Sequence, residues 1–469
     1  MNKNKELIRN TIILFIGKFC TQFVTLLLVP LYTSFLATDD YGMVDLIQTY
    51  ITLLIPILFL KMEAGAFRFL LDVRDNKEEQ TKIVTTTLVC FIRQLIISTL
   101  IFIILICFVE IKYAPLLYIN LVTLSFLQLC LQITRGFGKT KTYSISSIIS
   151  AVVTIILNVI LLVCFKSNGA GVLIASAIAN VSSTIFLVCI NKLYKYVNLN
   201  RYSKKVQREI IKYSIPMIPN ELSWWIVHGS DRTIISIFLG VAANGIYSVS
   251  CKFSSIVSSI FNIFNMSWQE SASLHIDDKD KDEFFTNVIN IVFNAFVGIC
   301  LLLIVTIPMV FNIIIDENYS DSYYYIPILL FANVFHVLLG LFGGIYVGKK
   351  LTKEASKTTI FSAIINIIVH LILINWIGIY AASVSTLIAY MTLAIYRYID
   401  MKKYAKIKIP IYTWIRTIII FCIAMILYYQ NNLIGNIINI CIIVIFVIYV
   451  NKNSIIKLFR LGKKFLLRK

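Results

Sequence analysis

The stretch YSIPMIPNELSWWIVHGSDRTIISIFLGVAANGIYSVSCKFSSIVSSIFNIFNMSWQE (residues 213–270) reads as two long apolar segments, 213–239 and 246–270, joined by a Gly-Val-Ala-Ala-Asn turn at 240–244. Each segment is long enough to cross about 30 Å of hydrocarbon as a helix. Yet the pair also carries Glu221, His228, Asp231, Arg232 and Lys252. A charge at the centre of a span costs about 2.5–3.5 kcal/mol on insertion scales, so it points at a protein partner, a water-filled cavity or a ligand.

The rest of the chain repeats this apolar pattern. Of its 469 residues 58% are hydrophobic and only 14% charged, with a mean hydropathy of +0.83. Soluble domains carry about 25% charged residues, so a water-soluble core is excluded. No segment alternates with the period of a barrel strand. The expected fold class is therefore an all-α polytopic membrane protein, with fourteen candidate spans in chain order at 11–36, 43–70, 83–108, 113–134, 143–165, 169–190, 213–239, 246–270, 285–311, 324–348, 358–376, 378–397, 411–429 and 433–450. The apolar run at 11–36 is too long for a signal-peptide core and is read as an uncleaved first helix.

Loop charge gives these spans an orientation. With fourteen spans, the connections sharing a side with both termini hold 34 Lys and Arg, whereas the opposite loops hold only Lys112 and Lys166. This bias predicts both termini in the cytoplasm. Basic loops facing an anionic leaflet also account for most of the net charge of +19 without nucleic acid. The ten cysteines lie in apolar segments and form no C-x-x-C pair, so neither a disulfide framework nor a metal site is expected.

A faint repeat divides the chain. At an offset of 203 residues, Phe35, Leu36 and Gly42 lie over Phe238, Leu239 and Gly245; at 207, Gly171, Ala175 and Ser176 lie over Gly378, Ala382 and Ser383. Six helices per repeat is an even number, which predicts a parallel repeat about an axis along the membrane normal. The expected organisation is a six-helix N-terminal lobe (1–195), a basic cytoplasmic connection (196–212), a six-helix C-terminal lobe (213–402), accessory helices 13 and 14 (403–450) and a basic tail (451–469).

Helical spacing gathers polar residues into stripes. Glu221, Trp225, His228 and Arg232 share one face of the seventh span, and Lys18 lies on a stripe of the first. The Ser, Thr and Asn stripes of spans 5, 6, 9 and 11 read most simply as interhelical hydrogen-bonding glue. The cations Lys18, Arg93, Arg232 and Lys252 are harder to assign to packing, although Glu63, Glu221, Asp231 and Glu270 are available as ion-pair partners. A cavity lined by cations suits a phosphate-bearing ligand. No nucleotide-binding loop, nucleophile elbow or metal-binding H-E-x-x-H occurs, so neither an enzyme nor a cofactor is expected.

The stretch from Ser214 to Phe253 resembles the polysaccharide-biosynthesis (Wzx-type) oligosaccharide flippases of the multidrug/oligosaccharidyl-lipid/polysaccharide exporter superfamily, through its I-P, D-R, F-L-G, G-I-Y-S and K elements. Leu28–Gly42, Met62–Phe69 and Ile326–Lys350 are similar to further family segments, so the resemblance spans about residues 7–400. Two positions depart from the family pattern. Trp268 is followed by Gln269-Glu270 where a proline is common, and His370 stands where an asparagine is expected.

The resemblance implies two six-helix lobes, alternating access, and flipping of an undecaprenyl-pyrophosphate-linked oligosaccharide across the bacterial inner membrane. On that reading Lys18, Arg232 and Lys252, with Arg68 or Arg93 nearer the cytoplasm, offset the pyrophosphate, and Trp225 or Trp268 stacks on sugar, Trp268 being equally readable as an interfacial anchor. Glu63, Glu221, His228 and Asp231 serve coupling or ion pairing. Arg232 and Lys252 lie six or seven residues from the outer turn, a transit-side contact. The partners implied are the lipid-linked sugar, the bilayer and other polysaccharide-assembly membrane proteins. The rival readings are a cation-coupled multidrug exporter, which favours an acidic cavity, and a membrane polysaccharide polymerase, which needs a large outer loop or a catalytic motif.

Overall fold

The computed structural model describes residues 24–349 and 351–466. Among them the chain is helical, with no strand, and contains sixteen α-helices. In order these are α1 Val24–Phe35, α2 Thr38–Leu58, α3 Met62–Leu71, α4 Lys77–Phe108, α5 Ala114–Gly136, α6 Thr140–Val159, α7 Gly169–Asn191 and α8 Lys204–Ser214. There follow α9 Ile218–Phe238, α10 Val241–Leu274, α11 Lys281–Ile314, α12 Ile326–Gly348, α13 Thr352–Ile377, α14 Tyr380–Met401, α15 Ile411–Gln430 and α16 Leu433–Leu466.

Ten of the described helical segments are long and apolar enough to cross a membrane, and the chain is a multi-pass membrane protein. The other four of the fourteen expected spans correspond to α1, α9, α10 and α14. A helix satisfies its backbone hydrogen bonds internally, which is what a hydrocarbon environment demands. Where helices begin in polar loops, side chains cap them. Asn76 accepts from the Glu78 and Glu79 amides at the start of α4, and Ser203 accepts from Val206 at the start of α8.

The second span departs from its sequence reading. Read as continuous over 43–70, it is broken between α2 and α3, where Leu60 and Lys61 adopt φ values of 54° and 56°. Pro56 already removes one backbone donor in the last turn of α2. The break brings Lys61 within 3.1 Å of the Glu221 carboxylate and 3.6 Å of Glu63.

The chain divides into two compact units, Met1–Gly245 and Ile246–Lys469. In the first, polar residues tie α5, α6 and α7, and one of them, Ser183, belongs to a stripe read as glue. Asn120 donates to the Leu173 carbonyl at 2.9 Å, Asn191 to the Thr134 hydroxyl at 2.9 Å, and Ser183 to the Ser146 carbonyl at 3.1 Å. The amphipathic α8 buries Val206 and Ile210 and leaves Lys204, Lys205 and Arg208 outward.

In the second unit α12 is buried along most of its length. Gly340, Gly344 and Gly348 form the seam on which α10 lies; a Cβ at Gly344 would meet the Trp268 indole at 2.5 Å. Trp268 is buried and donates to the Leu341 carbonyl at 2.8 Å, a packing role. The pair α15–α16 is fastened to α11 and the 317–325 segment. Arg416 donates to Asn294 at 3.0 Å, and Tyr323 stacks on Tyr428 at 4.1 Å while the two exchange hydroxyl-to-carbonyl bonds.

Arg397, counted by sequence among the cations of a loop, is instead inside α14 and 4% exposed. Its guanidinium donates to the hydroxyls of Thr358 and Thr359 and to the carbonyls of Leu339 and Ala355, and it lies 5.6 Å from the Tyr346 ring centroid.

Candidate substrate cavity

Within the first unit, α2 and α9 line a cavity of about 410 Å³. From α2 come Asp45, Gln48, Thr49 and Thr52, spaced i, i+3, i+4 and i+7 and so on one helical face. From α9 come Glu221, Trp224, Trp225, Gly229 and Arg232, again one face.

The cavity is framed by two charge clusters. At one end Arg232 Nε donates to Asp45 Oδ2 at 2.5 Å, with the side chains only 16% and 6% exposed. A charge-assisted bond this short between nearly buried groups offsets part of the desolvation that both incur. At the other end Lys61 bridges Glu221 and Glu63 from the α2–α3 break. Between them Trp225 Nε1 donates to the Thr49 carbonyl at 2.8 Å, and Thr233 bonds the Tyr50 hydroxyl at 3.2 Å. Gly229 permits the indole to lie against α9, since a Cβ there would stand 3.0 Å from both Trp225 and Thr49.

Beyond the Asp45–Arg232 pair, toward the start of α2, backbones meet. A Cβ on Gly42 would lie 2.0 Å from the Val241 carbonyl oxygen, and one on Gly245 would lie 2.1 Å from that of Thr38. Asn244 donates to the Gly42 carbonyl at 2.9 Å. Gly42 and Gly245 are the residues that the 203-residue offset superimposes, and here they lie against each other. Only glycine allows so close an approach.

The structure thus brings Glu221, Trp225 and Arg232 to one cavity and adds Asp45, which the sequence reading missed. The α2 stripe of Asp45, Gln48, Thr49 and Thr52 was a signal available for it. Other candidates lie elsewhere. Arg68 pairs with Asp72 at 2.6 Å near the end of α3, exposed. Arg93 is an exposed residue of α4, with its guanidinium 3.4 Å from both the Tyr202 hydroxyl and Gln207. Glu63 and Asp231 are buried, and Lys252 is a half-buried residue of α10 in the second unit. Lys18 and the side chain of His228 lie outside the described residues.

Comparison with known proteins adds the family. Residues 7–268 match the family model described as polysaccharide biosynthesis protein. No curated protein matches the chain. The fold is similar to the lipid II flippase MurJ in an inward closed conformation, with TM-score 0.71, 15% identity, and coverage of 96% of this chain and 100% of that one. It is also similar to an inward-facing multidrug resistance MATE family transporter of the MOP superfamily, with TM-score 0.70, 13% identity and coverage of 83% and 97%. A MOP superfamily transporter from Pyrococcus furiosus Vc1 aligns with TM-score 0.60 and 15% identity over 85% and 95%. The family match spans more than half of the chain, and the structural matches agree with it in fold: the chain belongs to the polysaccharide biosynthesis protein family and has the architecture of MOP-superfamily transporters.

Proposed function

We propose that this protein flips a polyprenyl-pyrophosphate-linked oligosaccharide, a surface-polysaccharide repeat unit, across the bacterial cytoplasmic membrane by alternating access, with both termini cytoplasmic. The observation that carries the reading is the α2–α9 cavity in a chain of this family, with a cation, two acids and two indoles facing one space. The similarity to a lipid II flippase supports a lipid-linked substrate.

In this mechanism Arg232 is the phosphate contact. Its carboxylate partner Asp45 keeps the guanidinium neutralised between cycles, and the pyrophosphate exchanges for that carboxylate. Bidentate recognition of phosphate is what a guanidinium does best. Trp224 and Trp225 present flat apolar faces to sugar rings, while Gln48, Thr49 and Thr52 offer polar groups to hydroxyls. Arg68, near the end of α3, lies nearer the cytoplasmic entrance.

The acids Asp45 and Glu221 favour one second reading, a cation-coupled drug exporter, because acidic linings suit cationic drugs. One experiment separates the two. A deletion strain is complemented with wild type or Arg232→Ala, and lipid-linked oligosaccharide on each leaflet is measured beside resistance to cationic drugs. Accumulation on the cytoplasmic leaflet, unrelieved by Arg232→Ala at normal protein level, is the expected result. Normal translocation with lost drug resistance overturns the flippase reading.

A further inference from the structure

A second cavity, of about 540 Å³, lies between α4, α5 and α7 and shares no lining residue with the first. Its walls include Leu88, Ile92, Val122, Phe126 and Ile185, and Leu199 of the connection between α7 and α8 also lines it. Three threonines reach it, and each hydroxyl is already engaged. Thr85 donates to the Tyr196 carbonyl and accepts from the Asn198 amide. Thr123 bonds the Asn120 carbonyl, and Thr184 the Asn180 carbonyl. A trapped water needs two to four polar partners, so this crevice suits hydrocarbon rather than water.

Its rim is basic. Arg93 follows Ile92 on α4, and its side chain reaches toward the N-terminal, loop end of that helix, where the guanidinium lies 5.4 Å from the Tyr202 ring. Among the described residues no carboxylate stands within ion-pair distance of Arg93; its polar neighbours are Tyr202 and Gln207, which bond each other. Lys192 and Lys195 are exposed on the same connection. There Tyr194 and Leu199 are 59% and 71% exposed beside the cations, the mixture that lies at a membrane interface.

We infer that this crevice is a binding site for an anionic phospholipid, with one acyl chain between α4, α5 and α7 and the phosphate at Arg93. The inference does not rest on the identity of the transported substrate. An acyl chain matches the dry apolar walls, and a phosphate matches a guanidinium with no carboxylate beside it. The substrate's own polyprenyl tail is the less favoured occupant, because the crevice is lined by none of the residues of the α2–α9 cavity.

The test reconstitutes the full-length protein in nanodiscs of equimolar phosphatidylglycerol and phosphatidylcholine, and the retained lipid is counted by native mass spectrometry. Wild type is expected to retain phosphatidylglycerol over phosphatidylcholine by about fivefold, the worth of one cation near an anionic headgroup. Arg93→Gln should keep lipid bound but lose most of the preference. Val122→Trp fills the crevice and should lose the bound lipid itself; Ile185→Phe, at an exposed position, serves the same purpose should Val122→Trp misfold. Equal retention of the two lipids by wild type overturns the inference. So does an unchanged preference in Arg93→Gln, lipid retained by a folded crevice-filling variant, or displacement of the lipid by added polyprenyl phosphate and not by phosphatidylglycerol.

Discussion

The Asp45–Arg232 pair gives the sharpest prediction. The perturbation is a cycle of Asp45→Asn, Arg232→Gln and the double variant. At 2.5 Å and an effective dielectric of about 20, the attraction is on the order of 7 kcal/mol before desolvation. Both side chains are largely withdrawn from solvent, so desolvation cancels much of this. Removing one partner of a buried pair costs about 3–5 kcal/mol, because the other charge stays buried without its counter-ion. The cavity beside the pair admits water, and Gln48 lines it one turn from Asp45; these relieve part of that cost, which puts each single variant near the lower figure, about 3 kcal/mol.

The double variant should lose less than the two singles summed, by about 1–3 kcal/mol of coupling. The assay is reversible unfolding in mixed micelles with increasing denaturing detergent, followed by helicity, beside transport in a complemented deletion strain. Both singles should unfold earlier, the double variant should recover part of the loss, and transport should fail wherever Arg232 is replaced. Single variants within 0.5 kcal/mol of wild type with no coupling would refute the buried-pair argument. Normal transport by a well-folded Arg232→Gln would refute the phosphate role.

Three further outcomes follow from other contacts. Gly42→Ala forces a Cβ toward a backbone oxygen 2.0 Å away, so about 1–3 kcal/mol of overpacking cost is expected, read as early unfolding in the same micelle assay. Arg397→Lys replaces a planar group bonded to four residues with a point charge. It should leave a buried cation and carbonyl oxygens poorly matched and lower the folded yield, measured by size-exclusion chromatography. In the 275–280 loop, the hydrogen bond and charge of Lys349, 2.8 Å away, hold the Asp277 carboxyl below its ordinary value. Because the folded-state pKa is depressed, the contribution is present above the ordinary aspartate range and is lost as pH falls through the lowered value. Lys349→Ala should return the Asp277 titration to the ordinary range by carbonyl-carbon NMR.

The architecture was legible in the sequence because the bilayer leaves few choices. Long apolar runs must be helices, and the Ser, Thr and Asn stripes of α6 and α7 must find partners, as Ser183 of α7 does at the Ser146 carbonyl of α6. The site was legible on one helix only. Glu221, Trp225 and Arg232 stood out on α9 because charge and indole are rare in such a span, whereas Asp45 on α2 sits among ordinary polar neighbours. Its importance comes from a residue 187 positions away, and no local spacing encodes that. The α2–α3 break escaped for a related reason. Leu60 and Lys61 are not glycine or asparagine, so their left-handed backbone carries no local mark; the conformation accompanies an ion pair that Lys61 makes with Glu221. Arg397 shows the converse. Its position at the end of a span suggested a solvated loop, yet hydroxyls and carbonyls from α12 and α13 accept its hydrogen bonds and hold it inside. In each case a charge kept at depth required a partner on another helix. The sequence therefore marks where a charge needs explaining, and only the packing identifies the group that answers it.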